Sequence, residues 1–488
     1  MRPLTGKLAC LAACLALGLA AGNPAIAAKE EAKKESKDVR TAKQMHVAFT
    51  QQMGVHQDIN LQEYVQRVGD KLAAVSEMPE LEWHFTIVDT DDVNAFATMG
   101  GYVYISRGIL PYFQNEAELA AVLGHEIGHI TAEHLKKQQR KGMLSGIASA
   151  ATAIFTGMPA LADLTNMAGQ AIISGYGREA ELESDRLGAS YLAKAGYDPE
   201  AMIRVISTLK AQDTFERERA RLEGREPRLY HGVFASHPDN DTRLQQAVAA
   251  AGRAPPSAEA GTSNREGYLQ AIEGLPVGSS ARQGMIRDNR FYHSDMQFTL
   301  AFPRGWQIVN EPDKILAVAP KKEHIMEIRT QAPPADLTDP RNFAMRGLAN
   351  KRLSRAETLD VNGLKAWTAI VRGDPSPYGQ ATSVRYVVIY YANLMWVFKG
   401  ASRSGLEAPA GDPFFLSTAN TFRRMRANEF PLAEPHRLHI MRTVEGTTME
   451  ALAKDSSIPK YPLQQLRLIN NLYPDGEPKP GDLVKTVK

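Results

Sequence analysis

The segment His125-Glu126-Ile127-Gly128-His129 limits this chain more than any other stretch of its sequence. On a helix, residues i and i+4 face the same side, so both imidazoles can reach a single tetrahedral ion. Glu126 stands beside them, where a carboxylate can take a proton from a water that the ion activates. The alternative is a pair of histidines on a solvated helix face. Leu119, Val122, Leu123 and Ile130 argue against it, because they give the same helix apolar packing positions. Buried histidines and a buried glutamate need partners. Gly124 and Gly128 each cost about 1 kcal/mol relative to alanine inside a helix. One turn apart, they leave room for a close neighbour beside the metal face, although close packing alone would also explain them. Asn115 and Glu118 form a capping-box variant, so the helix is expected to begin there and to run to about Arg140.

A catalytic zinc site usually takes three protein ligands and a water. A third histidine farther along the same segment, in the metzincin pattern, needs Gly and His where this chain has Ala132 and Leu135, so that reading fails. The better candidate is Glu181 in Arg178-Glu179-Ala180-Glu181-Leu182-Glu183-Ser184-Asp185. Glu181 and Asp185 are i, i+4 and share a face with Ser184 and Gly188, whose small side chains permit a close approach to the first helix. Asp185 is placed to orient a ligand histidine through a hydrogen bond. Glu183 points about 200° away from Glu181 and reads as solvated surface. Farther on, Ser236-His237-Pro238 and Arg243 form a polar loop cluster. A histidine arriving there can stabilise an oxyanion, or it can occupy the open coordination position and silence the site; the spacing leaves both roles open.

With 57 basic and 55 acidic side chains the chain offers no broad electrostatic footprint for nucleic acid, so chemistry must come from a local site. Both cysteines, Cys10 and Cys14, lie in an apolar leader. Arg2 and Lys7 precede Leu8 to Ala21, and Ala25-Ile26-Ala27 is a small-residue cleavage site, which predicts a signal peptide over 1–27 and a periplasmic, disulfide-free mature chain. An uncleaved anchor and a lipoprotein modified at Cys14 are the alternatives. Gly142 to Ala162 is uncharged for 21 residues, but glycine, serine, threonine and Pro159 dilute it. A helical lid over the cleft is preferred there to a membrane span, with membrane contact through 142–170 kept open.

The rest reads as an α+β multidomain protein. Helix is expected over 42–76, then strands at 83–88, 93–98 and 102–106, the last two joined by Gly100-Gly101. A second helix is expected from about Gly177 to Ala195. Gly252 to Asn264 reads as a linker closing a mainly helical first domain over 42–251. An antiparallel α/β domain is expected over 265–427, with strands at 297–302, 315–318, 325–330, 366–371, 384–391 and 395–398 and helices near 342–353 and 412–424. A small unit over 436–488 ends the chain.

These motifs together resemble a known family. Asn94-Ala95-Phe96-Ala97, Gly100-Gly101-Tyr102, Asn115-Glu116-x-Glu118, His125-Glu126-x-x-His129, Glu181-x-x-x-Asp185, Gly196-Tyr197-Asp198-Pro199 and His237-Pro238 are similar to the gluzincin family of HtpX, the CAAX prenyl protease and BepA. The resemblance covers about residues 42–250. It implies one zinc ion per chain held by His125, His129 and Glu181, with Glu126 as general base. It also implies an edge strand at Asn94, Ala95, Phe96, Ala97, Gly101 and Tyr102 onto which an extended polypeptide substrate adds, and His237 as a fourth, inhibitory ligand. Ser184 stands where the family usually has alanine, and Met99 where proline is common. Phe302-Pro303-x-Gly305-Trp306 and the strand order resemble a PsbP/Mog1-type domain. Thr443-Val444-x-Gly446-Thr447-Thr448, Leu468-x-Asn470 and Lys479-Pro480-Gly481 are similar to a LysM module of βααβ form. The expected activity is an exported zinc endopeptidase for unfolded or misassembled envelope proteins, with peptidoglycan or outer-membrane assembly proteins as further partners. The rival expectation is a largely latent protease serving as a chaperone-like or peptidoglycan-binding adaptor.

Overall fold

A computed structural model describes residues 37–138, 176–224, 261–311, 314–405 and 407–488. The expected leader over 1–27, the lid over 142–162, His237 and Arg243 lie outside these residues. Among the described residues no helix is long and apolar enough to cross a membrane. The architecture is mixed α+β with several sheets.

The first helical stretch is two helices, α1 (Lys37–Met53) and α2 (Ile59–Ala73), where the sequence pattern predicts one. Gly54 at φ 73° breaks the run, and the Asp58 side chain restarts it by accepting from Leu61 N at 3.1 Å. Strands β1 (His84–Val88), β2 (Ala95–Ala97) and β3 (Tyr102–Ser106) form a sheet in the order β1-β3-β2, with β1 parallel and β2 antiparallel to β3. Alternation along the strands sorts its two faces. Val88, Phe96, Tyr102 and Tyr104 pack under α1. Phe85, Ile87, Ala95, Val103 and Ile105 join α2 and α3 (Glu116–Thr131) in the main core.

Helix α3 stops at Thr131, well short of the expected Arg140. Glu133 takes φ 53°, the chain turns, and helix resumes at 134–138. Helix α4 (Arg178–Lys194) crosses α3, and α5 (Ala201–Glu223) follows after Gly196 at φ 76°. Helix α6 (Arg265–Ala271) and strand β4 (Pro276–Val277) depart from the expected boundary at 265: Tyr268, Leu269, Ile272 and Leu275 pack in the first core, not with the second sheet.

The middle of the chain builds two antiparallel sheets. The smaller joins β5 (Met285–Arg287), β6 (Arg290–His293), β7 (Phe298–Ala301) and a later β15 (Arg423–Arg424). The larger uses β8 (Gln307–Glu311), β9 (Lys314–Val318), β10 (His324–Gln331), β11 (Arg352–Val361), β12 (Leu364–Pro375), β13 (Ala381–Tyr391) and β14 (Leu394–Ser402) in the order β11-β12-β13-β14-β10-β9-β8. Helices α7 (Pro340–Gly347) and α8 (Asp412–Asn420) pack on it. The expected helix to Leu353 is cut short because β11 begins at Arg352. That edge strand is mostly exposed, so it carries no apolar alternation to reveal it.

The tail, β16 (His436–Arg442), α9 (Met449–Lys454), α10 (Pro462–Ile469) and β17 (Leu483–Val487), pairs β16 with both β17 and β4. It is no appended bead. Leu438, Met449, Leu466 and Val487 belong to the same core as α3. Lys485, 0% exposed, donates to the carbonyls of Pro111 and Phe113 at 2.8 and 2.7 Å, just before α3. Arg265 ties Gln114 O to Leu483 O, each at 2.8 Å.

Candidate metal centre

Helix α3 starts where the Asn115 side chain accepts from Glu118 N at 3.0 Å. The Glu118 carboxylate reaches back one residue farther than a capping box requires, accepting from Gln114 N at 2.8 Å. One face of α3 then lies almost against α4. A Cβ on Gly124 would meet Gly188 Cα at 3.3 Å, one on Gly128 would meet Ser184 Cα at 3.1 Å, and one on Gly188 would meet His125 N at 2.9 Å. The small residues set the separation that lets α3 and α4 present side chains to one point.

There, His125, His129 and Glu181 converge, all buried, with their ligand-type atoms within 4.8 Å of one another. The two Nε2 atoms are 3.0 Å apart, and each lies 3.5 Å from a Glu181 carboxylate oxygen. Four ligands about 2.0–2.1 Å from a tetrahedral zinc are separated by about 3.4 Å. The 3.5 Å contacts end on different Glu181 oxygens, Oε2 for His125 and Oε1 for His129, so the carboxylate faces both imidazoles at distances close to that separation, and the donor set suits zinc.

Proton placement agrees with this. The Asp185 carboxylate accepts from His125 Nδ1 at 2.8 Å, which puts the proton on Nδ1 and turns an electron pair on Nε2 toward Glu181. His129 Nδ1 lies 2.9 Å from His134 Nδ1, and His134 Nε2 lies 3.1 Å from the Glu183 carboxylate. Two imidazole nitrogens and a carboxylate thus meet out of water, a donor set that a cation would join. Burial pushes the His134 imidazole below the ordinary histidine range, and the His134 hydrogen bond holds Glu183 below the usual carboxylate range.

Glu126 is buried one residue beyond His125. Tyr176, just before α4, stacks on the His129 ring with centroids 4.0 Å apart and planes 18° apart. Burial raises its hydroxyl pKa, and the Glu126 and Glu181 carboxylates raise it further, so the phenol stays protonated beside them. Glu183, read from helical phase as solvated surface, is in fact the anchor of His134. His134 and Tyr176 escaped the sequence reading. Neither lies on a helical face shared with the motif, and no periodicity points to them.

On the sheet, β2 is an edge strand. Ser106 N donates to Asn94 O, and Thr98 N to Tyr102 O, each at 2.9 Å. Antiparallel alternation then turns the backbone groups of Ala95 and Ala97 outward from β3. Gly101, at φ 88°, comes so close to Glu82 O that a Cβ there would stand 2.3 Å away. The Phe96 and Tyr102 side chains face α1.

Residues 60–251 match the profile of peptidase family M48. This segment is an M48 metalloprotease domain. Among related chains, the beta-barrel assembly-enhancing protease of Yersinia pestis is 32% identical over 221 residues, 43% of this chain and 42% of that one. Its Escherichia coli K12 counterpart is 30% identical over 238 residues, 47% and 46% of the two chains. The mitochondrial metalloendopeptidase OMA1 of Arabidopsis thaliana is 34% identical over 138 residues, 28% of each. This chain spans less than half the length of these relatives. A solution structure of cyanobacterial PsbP from Synechocystis sp. PCC 6803 covers 29% of this chain and 95% of its own at 16% identity and a TM-score of 0.22, a likeness too low to assign the middle sheets.

Proposed function

We propose that the chain is an exported zinc endopeptidase that cleaves unfolded or misassembled polypeptides of the cell envelope. The carrying observation is the buried convergence of His125, His129 and Glu181, whose ligand-type atoms lie within 4.8 Å of one another. These three side chains hold the ion, and Asp185 fixes the His125 tautomer. Zinc supplies Lewis acidity toward the scissile carbonyl and lowers the pKa of a water to about 7. Glu126 takes the proton of the attacking water and passes it to the leaving amine nitrogen. The extended substrate pairs with the outward backbone of Ala95 and Ala97 on β2, which selects unfolded chains over folded ones. His237 either plugs the fourth position or stabilises the oxyanion together with Arg243.

The related proteases named for β-barrel assembly support the envelope assignment. Residues 1–27 serve as its cleaved signal peptide. The β16-α9-α10-β17 order supports a LysM-like tail, and its burial against the M48 core supports a bracing role for it.

Replacing Glu126 with glutamine tests the assignment. Casein cleavage should fall by about 10²–10⁴-fold while bound zinc stays at one per chain; full activity in that variant would remove Glu126 from the chemistry. Replacing His237 with alanine separates its two roles, since a gain in cleavage indicates a plug and a loss indicates oxyanion stabilisation.

A further inference from the structure

Position 134 lies five residues past His129, and in an unbroken helix it would sit about 140° around the axis, away from the metal face. The break at Ala132–Glu133 changes that. With Glu133 at φ 53°, the turn starting at 134 brings His134 back beside His129, where it is 4% exposed. Its Nδ1 lies 2.9 Å from His129 Nδ1, and its Nε2 lies 3.1 Å from Glu183 Oε2. Ser184 Oγ stands 3.4 Å from the same Nδ1. The contacts run in one direction only. A carboxylate accepts, so His134 carries its ring proton on Nε2. Its Nδ1 is then an acceptor, His129 Nδ1 must be the donor, and the His129 electron pair is left on Nε2, facing Glu181 and His125.

We propose that His134, anchored by Glu183, is a positioning residue for the metal: it sets the tautomer and ring orientation of His129 through a histidine–histidine–carboxylate chain. This rests on the zinc reading above. It gives the two histidine ligands unlike supports, a direct carboxylate behind His125 and a carboxylate relayed through a second imidazole behind His129. The relay makes His129 a more basic ligand and restrains its ring even where the side chain of α4 that backs it, Glu183, lies at the rim of the fold.

The test uses the full mature protein, with zinc affinity measured by competition against a chromophoric chelator and the visible spectrum of the cobalt(II)-loaded form. His134→Leu removes the acceptor and should weaken zinc binding about 10–100-fold and alter the cobalt bands. His134→Asn retains an oxygen that can accept from His129 Nδ1 and should bind zinc within about threefold of wild type, near the lower end of such effects. Glu183→Leu removes only the partly exposed anchor and should weaken binding by about 3–10-fold, a fraction of the full effect. It carries the test if His134→Leu does not fold. Wild-type affinity in a folded His134→Leu or, failing that, in Glu183→Leu overturns the proposal, as does an asparagine variant as weak as the leucine one. A wild-type protein that binds no zinc would instead overturn the metalloprotease reading on which this rests.

Discussion

On the large sheet, Arg385 is 2% exposed, and its guanidinium meets Asp412 through two parallel hydrogen bonds of 2.6 and 2.7 Å, with a third to Thr368 Oγ1 at 3.1 Å. At the α3–α4 crossing the buried groups include His125, His129 and Glu181, which converge on one point, with Asp185 and His134 behind the imidazoles. Both regions bury polar groups at similar depth. In the first, the Asp412 carboxylate is met by the Arg385 guanidinium and, at 3.6 Å, by that of Arg355, so its charge is answered within the protein. In the second, the groups that converge are all of the kind that ligate a cation. Burial alone does not mark a functional site. The sign and direction of the groups brought together does.

Stripping the metal should separate the two regions most sharply. Zinc at about 100–1,000 times its dissociation constant stabilises by about 2.7–4.1 kcal/mol. A chelator should therefore abolish proteolysis and speed amide exchange across α3 and α4, leaving protection in β12 and β13 unchanged. Equal loss in both regions would break the contrast. Arg385→Met should cost about 1.5–3 kcal/mol, because Asp412 loses its two-pronged partner and keeps, among the described residues, only the exposed Arg355 guanidinium 3.6 Å away, while the double variant Arg385→Met/Asp412→Leu should return closer to wild type, both read by urea denaturation with zinc content unaltered. Lys485→Met should destabilise the M48 domain by about 1–3 kcal/mol, since two carbonyls ahead of α3 lose their donor; a change confined to the tail would show that the two do not share one core.

The smallest effect concerns Glu429, whose carboxyl the Arg423 guanidinium holds at about 2 against an ordinary 4.5. A depressed carboxylate stabilises the fold above its unfolded value, and that contribution is lost as pH falls through the folded one. Glu429→Gln should thus cost about 2 kcal/mol at pH 7, the solvent that reaches the pair weakening it, progressively less below pH 4.5, and nothing only well below pH 2. A difference that stayed constant across that range would mean that packing, not charge, sustains the Arg423–Glu429 pair.

Much of the candidate metal centre is legible before any coordinates because its parts are local. His125, Glu126 and His129 lie within one helical turn and a half, and Glu181 and Asp185 within another, so helical phase alone predicts which side chains share a face. The glycines at 124, 128 and 188 announce a close crossing for the same reason. Phase fails where the helix does. The end of α3 at Thr131 and the left-handed Glu133 put His134 behind His129, and that same relocation turns Glu183 from surface carboxylate into partner. Tyr176 lies outside any periodic segment, so only its stacking on His129 reveals it.

The sequence by itself determined the parts of the candidate metal centre: an HExxH helix, an acidic helix with its Glu-x-x-x-Asp spacing, and glycines that let the two meet. Tertiary structure alone decided what surrounds that chemistry. It drew α6 and the tail, with the buried Lys485, into the core that carries α3, and it closed the chain from His129 through His134 to Glu183. The reason is physical. Helical periodicity encodes contacts three or four residues apart, whereas a hydrogen bond such as that from Gln114 Nε2 to Ile469 O, 355 residues distant, follows from how whole layers pack and leaves no local pattern to read.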